Sequence, residues 1–254
     1  MLKRIAVLGW ISFICLLLSA CTNHTANPYL STISSPSVKP DTVVLPVSEQ
    51  DTTTIERYLI SRSLVNIHDL DTSIRVVLHY STNQNFLHQP IYKGLTHCYL
   101  PCEVAIKLCN AQAYLKMNYP DYNIIVFDAV RPLHIQKKMW KELDMPDKLK
   151  INYLAHPDDI SLHNYGAAVD VGIIGLNHVL IDMGTDFDRF DELSQPKLEN
   201  KFLEEGKLTA TAYKNRLILR QCMVRAGFMT IPTEWWHFNA TNKITAAKQF
   251  ELIE

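Results

Sequence analysis

The apolar positions of this chain change period along its length. Over residues 101–117 they fall at Val104, Leu108, Ala111 and Leu115. That is the spacing of a helix with one buried face, and Pro101 suits its first turn. Residues 123–128 (Asn-Ile-Ile-Val-Phe-Asp) form a short apolar run that predicts a buried strand. Arg131-Pro132 breaks it, and a helix is predicted over 133–143. Within residues 67–80, the stretch Ile74-Arg75-Val76-Val77-Leu78-His79-Tyr80 is rich in β-branched residues and partly alternating, which predicts a strand. Residues 167–174 read as a strand that is apolar except for Asp170. Residues 207–226 read as a long helix ended by Gly227. A closing strand or hairpin is predicted over 228–231 and 234–239. Helices and strands mix without a regular βαβ rhythm. The pattern favours an α+β fold, one domain with a central, mainly antiparallel sheet flanked by helices.

The first segment follows a different rule. Lys3 and Arg4 precede an apolar run, residues 5–18, interrupted only by Gly9 and Ser12. The run is too short for a comfortable membrane span and reads as the apolar region of a secretory signal, residues 1–20. Leu18-Ser19-Ala20-Cys21 resembles the lipobox of bacterial lipoproteins. The resemblance implies that Cys21 carries the lipid and becomes the mature N-terminus. Thr22 rather than aspartate follows Cys21, which by the same resemblance places the protein at the periplasmic face of the outer membrane. Pro28, Pro36, Pro40 and Pro46 recur among many Ser and Thr up to residue 54. Such a stretch buries too little to offset its ordering entropy, so residues 21–54 are expected to be a flexible tether. Residues 55–254 then hold the folded domain.

Composition narrows the function classes. The 254 residues are 47% hydrophobic and 20% charged, enough for one sizeable core. A net charge of −1 gives no sign of the basic face that a nucleic-acid partner requires. Cys98, Cys102, Cys109 and Cys222 follow the signal segment. They contain no Cys-x-x-Cys pair, so they read as buried thiols with room for a bridge rather than a metal cluster.

The chemistry concentrates in three short stretches. Asp170 sits inside an apolar strand, where an unpaired carboxylate is costly and needs a cation or strong donors. His163 lies seven residues upstream, across a turn containing Gly166. Imidazole and carboxylate are both zinc ligands. His237, in Glu234-Trp235-Trp236-His237, is the candidate third ligand, leaving a fourth position open as catalytic zinc requires. Glu234 is placed to act as general base, provided that the chain bends between it and His237, since an extended strand would put them on opposite faces. Arg131, in Asp128-Ala129-Val130-Arg131-Pro132, ends a buried strand and is the candidate stabiliser of a developing oxyanion. Taken singly, each has a plainer role: a hydrogen-bonded histidine, a structural ion pair, two core tryptophans.

Together, Ser161-x-His163-x-x-Gly166-x-Ala168-x-Asp170 and Glu234-Trp235-Trp236-His237, preceded by the Arg131 motif, resemble the zinc D-alanyl-D-alanine dipeptidases, within the wider group of D,D-peptidases and hedgehog-like domains. The resemblance spans residues 65–240. It implies one zinc ion per chain held by His163, Asp170 and His237, with Glu234 as base and Arg131 as transition-state stabiliser. It also implies that Ser161 helps bind a small D,D-dipeptide, and that Tyr80 and Asp188 receive its free ammonium. A carboxylate there would reject a peptide whose amine is acylated. Two alternatives stay open: a D,D-carboxypeptidase or endopeptidase acting on peptidoglycan stems, and a non-catalytic wall-binding module that retains zinc.

Overall fold

A computed structural model describes residues 53–151 and 154–254. The signal segment, Cys21 and nearly all of the tether lie outside the described residues. Among these, no helix is long and apolar enough to cross a membrane. Helix α1 (Thr54–Ser61) starts where Thr53 caps the Glu56 N–H. Strands β1 (Val65–Asn66) and β3 (Tyr99–Leu100) form a small antiparallel pair.

The main sheet contains β2 (Arg75–Val76), β4 (Asn123–Asp128), β5 (Ala168–Ile174), β6 (Met229–Thr230) and β7 (His237–Asn239), in the order β2-β4-β5-β7-β6. Only β2 and β4 run parallel; every other pair is antiparallel. Helices α2 (Cys102–Asn118) and α6 (Ala210–Arg225) pack on each other, and α3 (Leu133–Glu142) follows β4. The short helices α4 (Asp147–Lys150), α5 (Glu199–Glu204) and α7 (Lys243–Gln249) complete the α+β fold. The predicted face of α2 is buried at all four positions, Val104, Leu108, Ala111 and Leu115. All seven residues of β5 are buried, as its apolar run requires.

Two expectations change in extent. The strand predicted near residue 74 is only Arg75–Val76, followed by a tight 3-10 turn over His79–Ser81. The cause is buried Asn85, whose amide donates toward the carbonyls of His79, Thr82 and Gln89 and folds the chain back. The turn delivers Tyr80 to the interior. The helix predicted from residue 207 starts instead at Ala210, because Thr209 caps the Ala212 N–H.

Two apolar clusters meet at the end of β4. Ala129 belongs to the cluster of Leu108, Val171, Leu219 and Trp236; Val130 belongs to that of Leu59, Tyr92, Met139 and Trp140. The Asp128–Arg131 segment passes between them.

Candidate active site

Register across the central strands assembles the site. Asp128 of β4 is opposite Asp170 of β5, and Asp170 is opposite His237 of β7. Residues directly opposite on antiparallel strands face the same side, so these three groups form a row across the sheet. Regular alternation would not give this. Val126 pairs with Val171, so Asp128 reaches Asp170 only because one extra residue, Phe127, is inserted. This bulge reverses the alternation of β4 at its last residue. Gly172 accommodates it, since a Cβ there would lie 2.8 Å from the Phe127 ring.

His163 arrives from a 3-10 turn, Leu162–Tyr165. The Ser161 hydroxyl accepts the His163 N–H at 3.3 Å, and the Asn164 side chain accepts the Ser161 N–H at 2.8 Å. Gly166 closes the turn at φ +62°, where a Cβ would also strike Pro101. The Asn164 amide donates to the Arg131 carbonyl at 2.8 Å, and the Arg131 N–H donates to the His163 carbonyl at 2.9 Å. The His163 and Arg131 segments are thus fastened to each other.

One ligand atom each from His163, Asp170 and His237 lies within 4.8 Å of the others. The His163 Nδ1–H donates to the Ala129 carbonyl at 2.7 Å, and the His237 Nε2–H donates to Asn239 Oδ1 at 2.7 Å. Those partners fix both tautomers. The inward ring nitrogens, His163 Nε2 and His237 Nδ1, then face each other at 3.2 Å, and stand 3.5 and 3.0 Å from Asp170 Oδ1. Two imidazole nitrogens converging beside a carboxylate can hold a metal ion once His237 gives up its proton, and the N, N, O donor set fits zinc. Burial opposes ionisation of Asp170, but His163 and His237 hold it well below the usual carboxylate range. Burial likewise opposes the charged form of His237, yet Asp170 carries it up to about 9. A metal ion entering near neutral pH would displace that proton.

Arg131 is buried and points at the same place. Its Nε and Nη2 donate to Asp128 Oδ2 at 3.0 and 2.5 Å, its Nη2 is 3.8 Å from Asp170 Oδ2, and its guanidinium lies over the Tyr80 ring. The other oxygen of Asp128 accepts the Tyr92 hydroxyl at 2.7 Å. The structural ion pair and the catalytic candidate are therefore the same arginine. The chain bends at Trp235 and Trp236, between Glu234 and the start of β7, as bringing Glu234 and His237 to one site requires, and Glu234 Oε2 is 3.9 Å from His237 Nδ1. Burial pushes the Glu234 carboxyl above its ordinary pKa, and the neighbouring His237 pulls it back.

These groups line a pocket of about 180 Å³, together with Tyr80, Ser161, Asp188, Phe190 and Trp236. All eight residues singled out from the folded part of the sequence thus share one cavity. In the same lining the Tyr80 hydroxyl donates to Asp188 Oδ1. Burial raises the Asp188 carboxyl to about 8 despite that bond. A larger groove of about 810 Å³ adjoins the pocket, and Asp188 lines both.

Asp128, Tyr92 and Asn239 complete the site without having been assigned roles from sequence. Asp128 stood three residues before Arg131, and Asn239 two after His237 on a strand, which is a same-face spacing. Tyr92 gave no such signal. Neither did the C-terminal residues, although the Ile253 N–H donates to the Asn164 carbonyl and its carbonyl accepts the Leu133 N–H.

The sequence matches the D-Ala-D-Ala dipeptidase family over residues 61–254. It is 25% identical over 175 residues to the D-alanyl-D-alanine dipeptidase of Escherichia coli K12, covering 69% of this chain and 83% of that one. It is 27% identical over 183 residues to the enzyme of that name from Synechocystis, covering 61% and 74%. For Enterococcus faecalis the figures are 24% over 176 residues, covering 63% and 82%. A match of this extent identifies a peptidase, and the chain belongs to the D-Ala-D-Ala dipeptidase family.

Proposed function

We propose that this chain is a zinc-dependent dipeptidase that hydrolyses D-alanyl-D-alanine-type dipeptides in the cell envelope. The observation that carries the reading is one small pocket holding the His163, Asp170, His237 triad beside Glu234 and Arg131, with Asp188 and Tyr80 in the same lining. When bound at the triad, zinc would supply a Lewis acid for water and for the scissile carbonyl. Glu234 takes the proton from the attacking water and passes it to the departing amine as the C–N bond breaks. Arg131, fixed by Asp128 through Nε and Nη2, keeps further N–H donors for the carbonyl oxygen as negative charge develops there. Ser161, on the wall nearest His163, binds the dipeptide. Asp188 and Tyr80 receive the free ammonium, a contact that an acylated amine, carrying no charge, would not make. The pocket is small by the standard of ligand sites, which suits a substrate of two short residues.

The test is release of D-alanine by the zinc-loaded full-length protein from D-Ala-D-Ala, L-Ala-L-Ala and N-acetyl-D-Ala-D-Ala, with Glu234→Ala as control. Turnover of the free D,D-dipeptide alone, lost in the variant, is the expected result. Turnover of the acetylated peptide would move the enzyme to carboxypeptidase chemistry on wall stems. Zinc binding without turnover of any substrate would leave a binding module.

The envelope location rests on the charged start, the apolar run and Cys21. A lipid on Cys21 would tether the domain to the membrane with no spanning helix. Cys21→Ser should move the protein from the membrane fraction to the soluble one; an unchanged distribution overturns the anchor.

A further inference from the structure

We propose that Arg216 is a positioning residue of this site, holding the Asp188 loop at the distance from Glu234 that a dipeptide spans. The inference rests on the dipeptidase reading above. Arg216 lies on α6, away from the pocket, and is only 2% exposed. Its Nε donates to the Met183 carbonyl at 2.6 Å and its Nη2 to the Leu193 carbonyl at 3.0 Å. One guanidinium thus grips both ends of the loop that carries Asp188 at its middle. The neighbouring Asn215 amide adds a bond to the Asp182 carbonyl at 2.8 Å.

The same guanidinium lies over the Trp235 ring, 5.8 Å from its centroid. Trp235 is adjacent in sequence to Glu234. Its Nε1–H donates to Thr185 Oγ1 at 2.7 Å, and its backbone N–H to the Ser194 carbonyl at 3.1 Å. Thr185 is on the Asp188 loop and Ser194 is the residue that follows it. The loop bearing the ammonium anchor and the segment bearing the base are therefore joined through Arg216, Thr185 and Trp235.

The charge is retained because Nη1 faces buried Glu199 at 3.4 Å, and Glu199 also receives Arg220 at 2.7 Å. A planar fork with fixed donors can hold three acceptors in different directions and still stack on an indole. A lysine ammonium cannot, although it keeps the charge.

The test is a double-mutant cycle on the full-length zinc-loaded protein with D-Ala-D-Ala, using Arg216→Lys and Asp188→Asn singly and together. In the wild-type background, Arg216→Lys should lower kcat/KM at least tenfold, chiefly through KM, with one zinc per chain retained. In the Asp188→Asn background the same change should cost less than twofold, because the anchor it positions is already disabled. Losses that multiply, or no loss from Arg216→Lys, overturn the positioning role. If Arg216→Lys does not fold, Thr185→Val removes the link between the loop and Trp235 and must show the same non-additivity with Asp188→Asn. Absence of wild-type turnover, or an Asp188→Asn variant as active as wild type, overturns the dipeptidase reading and this inference with it. Turnover with an impaired Asp188→Asn variant and multiplying losses overturns this inference alone.

Discussion

Tyr80 and Asp188 are joined by a hydrogen bond of 2.9 Å although 108 positions separate them in the chain. The acceptor is a carboxyl that burial has raised to about 8. In the substrate-free protein at neutral pH, Asp188 therefore retains its proton. A dipeptide ammonium titrates at about 7.7–8.0, so pairing the two expels the proton from Asp188. Dipeptide binding at pH 7 should release a proton, seen as a dependence of binding heat on buffer ionisation enthalpy in calorimetry of Glu234→Ala. Asp188→Asn should abolish that dependence.

The same shift makes a stability statement. The folded pKa of Asp188 lies above its unfolded value, so the folded state holds a proton that the unfolded chain has released. The resulting stabilisation is full below the unfolded pKa of about 3.9 and is lost progressively as pH rises toward about 8. Asp188→Asn should therefore raise the Tm of the substrate-free protein by several degrees at pH 8 and by less at pH 5.5. Equal increments at both pH values would contradict the raised pKa.

Glu234 lines the same pocket as His163, Asp170 and His237 but is not one of the three residues that could together hold a metal ion. Glu234→Gln should lower kcat by about 10²–10⁴-fold, the range for loss of a general base, while zinc affinity changes only a few-fold. A variant that loses its zinc would instead place Glu234 among the ligands.

Asn239 acts on His237 alone, accepting from its far ring nitrogen. Asn239→Ala should weaken zinc binding by about 10–100-fold, the usual effect of losing such a partner, without unfolding the domain. Competition with a chromophoric chelator measures it; unchanged affinity would mean that the tautomer is fixed by other means.

Asp128 neutralises the buried Arg131 and holds Tyr92. Asp128→Asn should cost about 3–5 kcal/mol of stability, because a buried charge loses its partner. Tyr92→Phe should cost only about 1 kcal/mol. Denaturant unfolding gives both values, and equal costs would show that the ion pair is not the larger contribution.

The candidate residues His163, Asp170, His237, Glu234 and Arg131 were legible in the sequence as a set, through their order and spacing together with the resemblance, and the structure brings all five to one pocket. Asp170 within a seven-residue buried strand is the clearest case. The bend between Glu234 and His237 followed from strand alternation alone. What stayed hidden depends on tertiary contacts. The short extent of β2 is set by the Asn85 amide, and local β-propensity contains no information about it. Tyr92 meets Asp128 across 36 positions, and Ile253 reaches Asn164 from the chain end, with no periodic signal at either place. Arg216 reads in sequence as an ordinary charged helix position. Its burial follows from carbonyls delivered by a distant loop.

The bulge at Phe127 makes the site unusually sensitive to length as opposed to composition. Adding one residue between Asn123 and Asp128, or straightening the strand at its present length, would take Asp128 out of register with Asp170 and turn its carboxylate to the opposite side of the sheet, leaving Arg131 without its counter-charge. Conservative apolar exchanges in the same stretch would preserve that orientation. Variation among descendants of this chain should accordingly tolerate exchange at Ile124, Ile125 and Val126 far better than a single-codon insertion there, and Phe127 with Gly172 should change only as a matched pair.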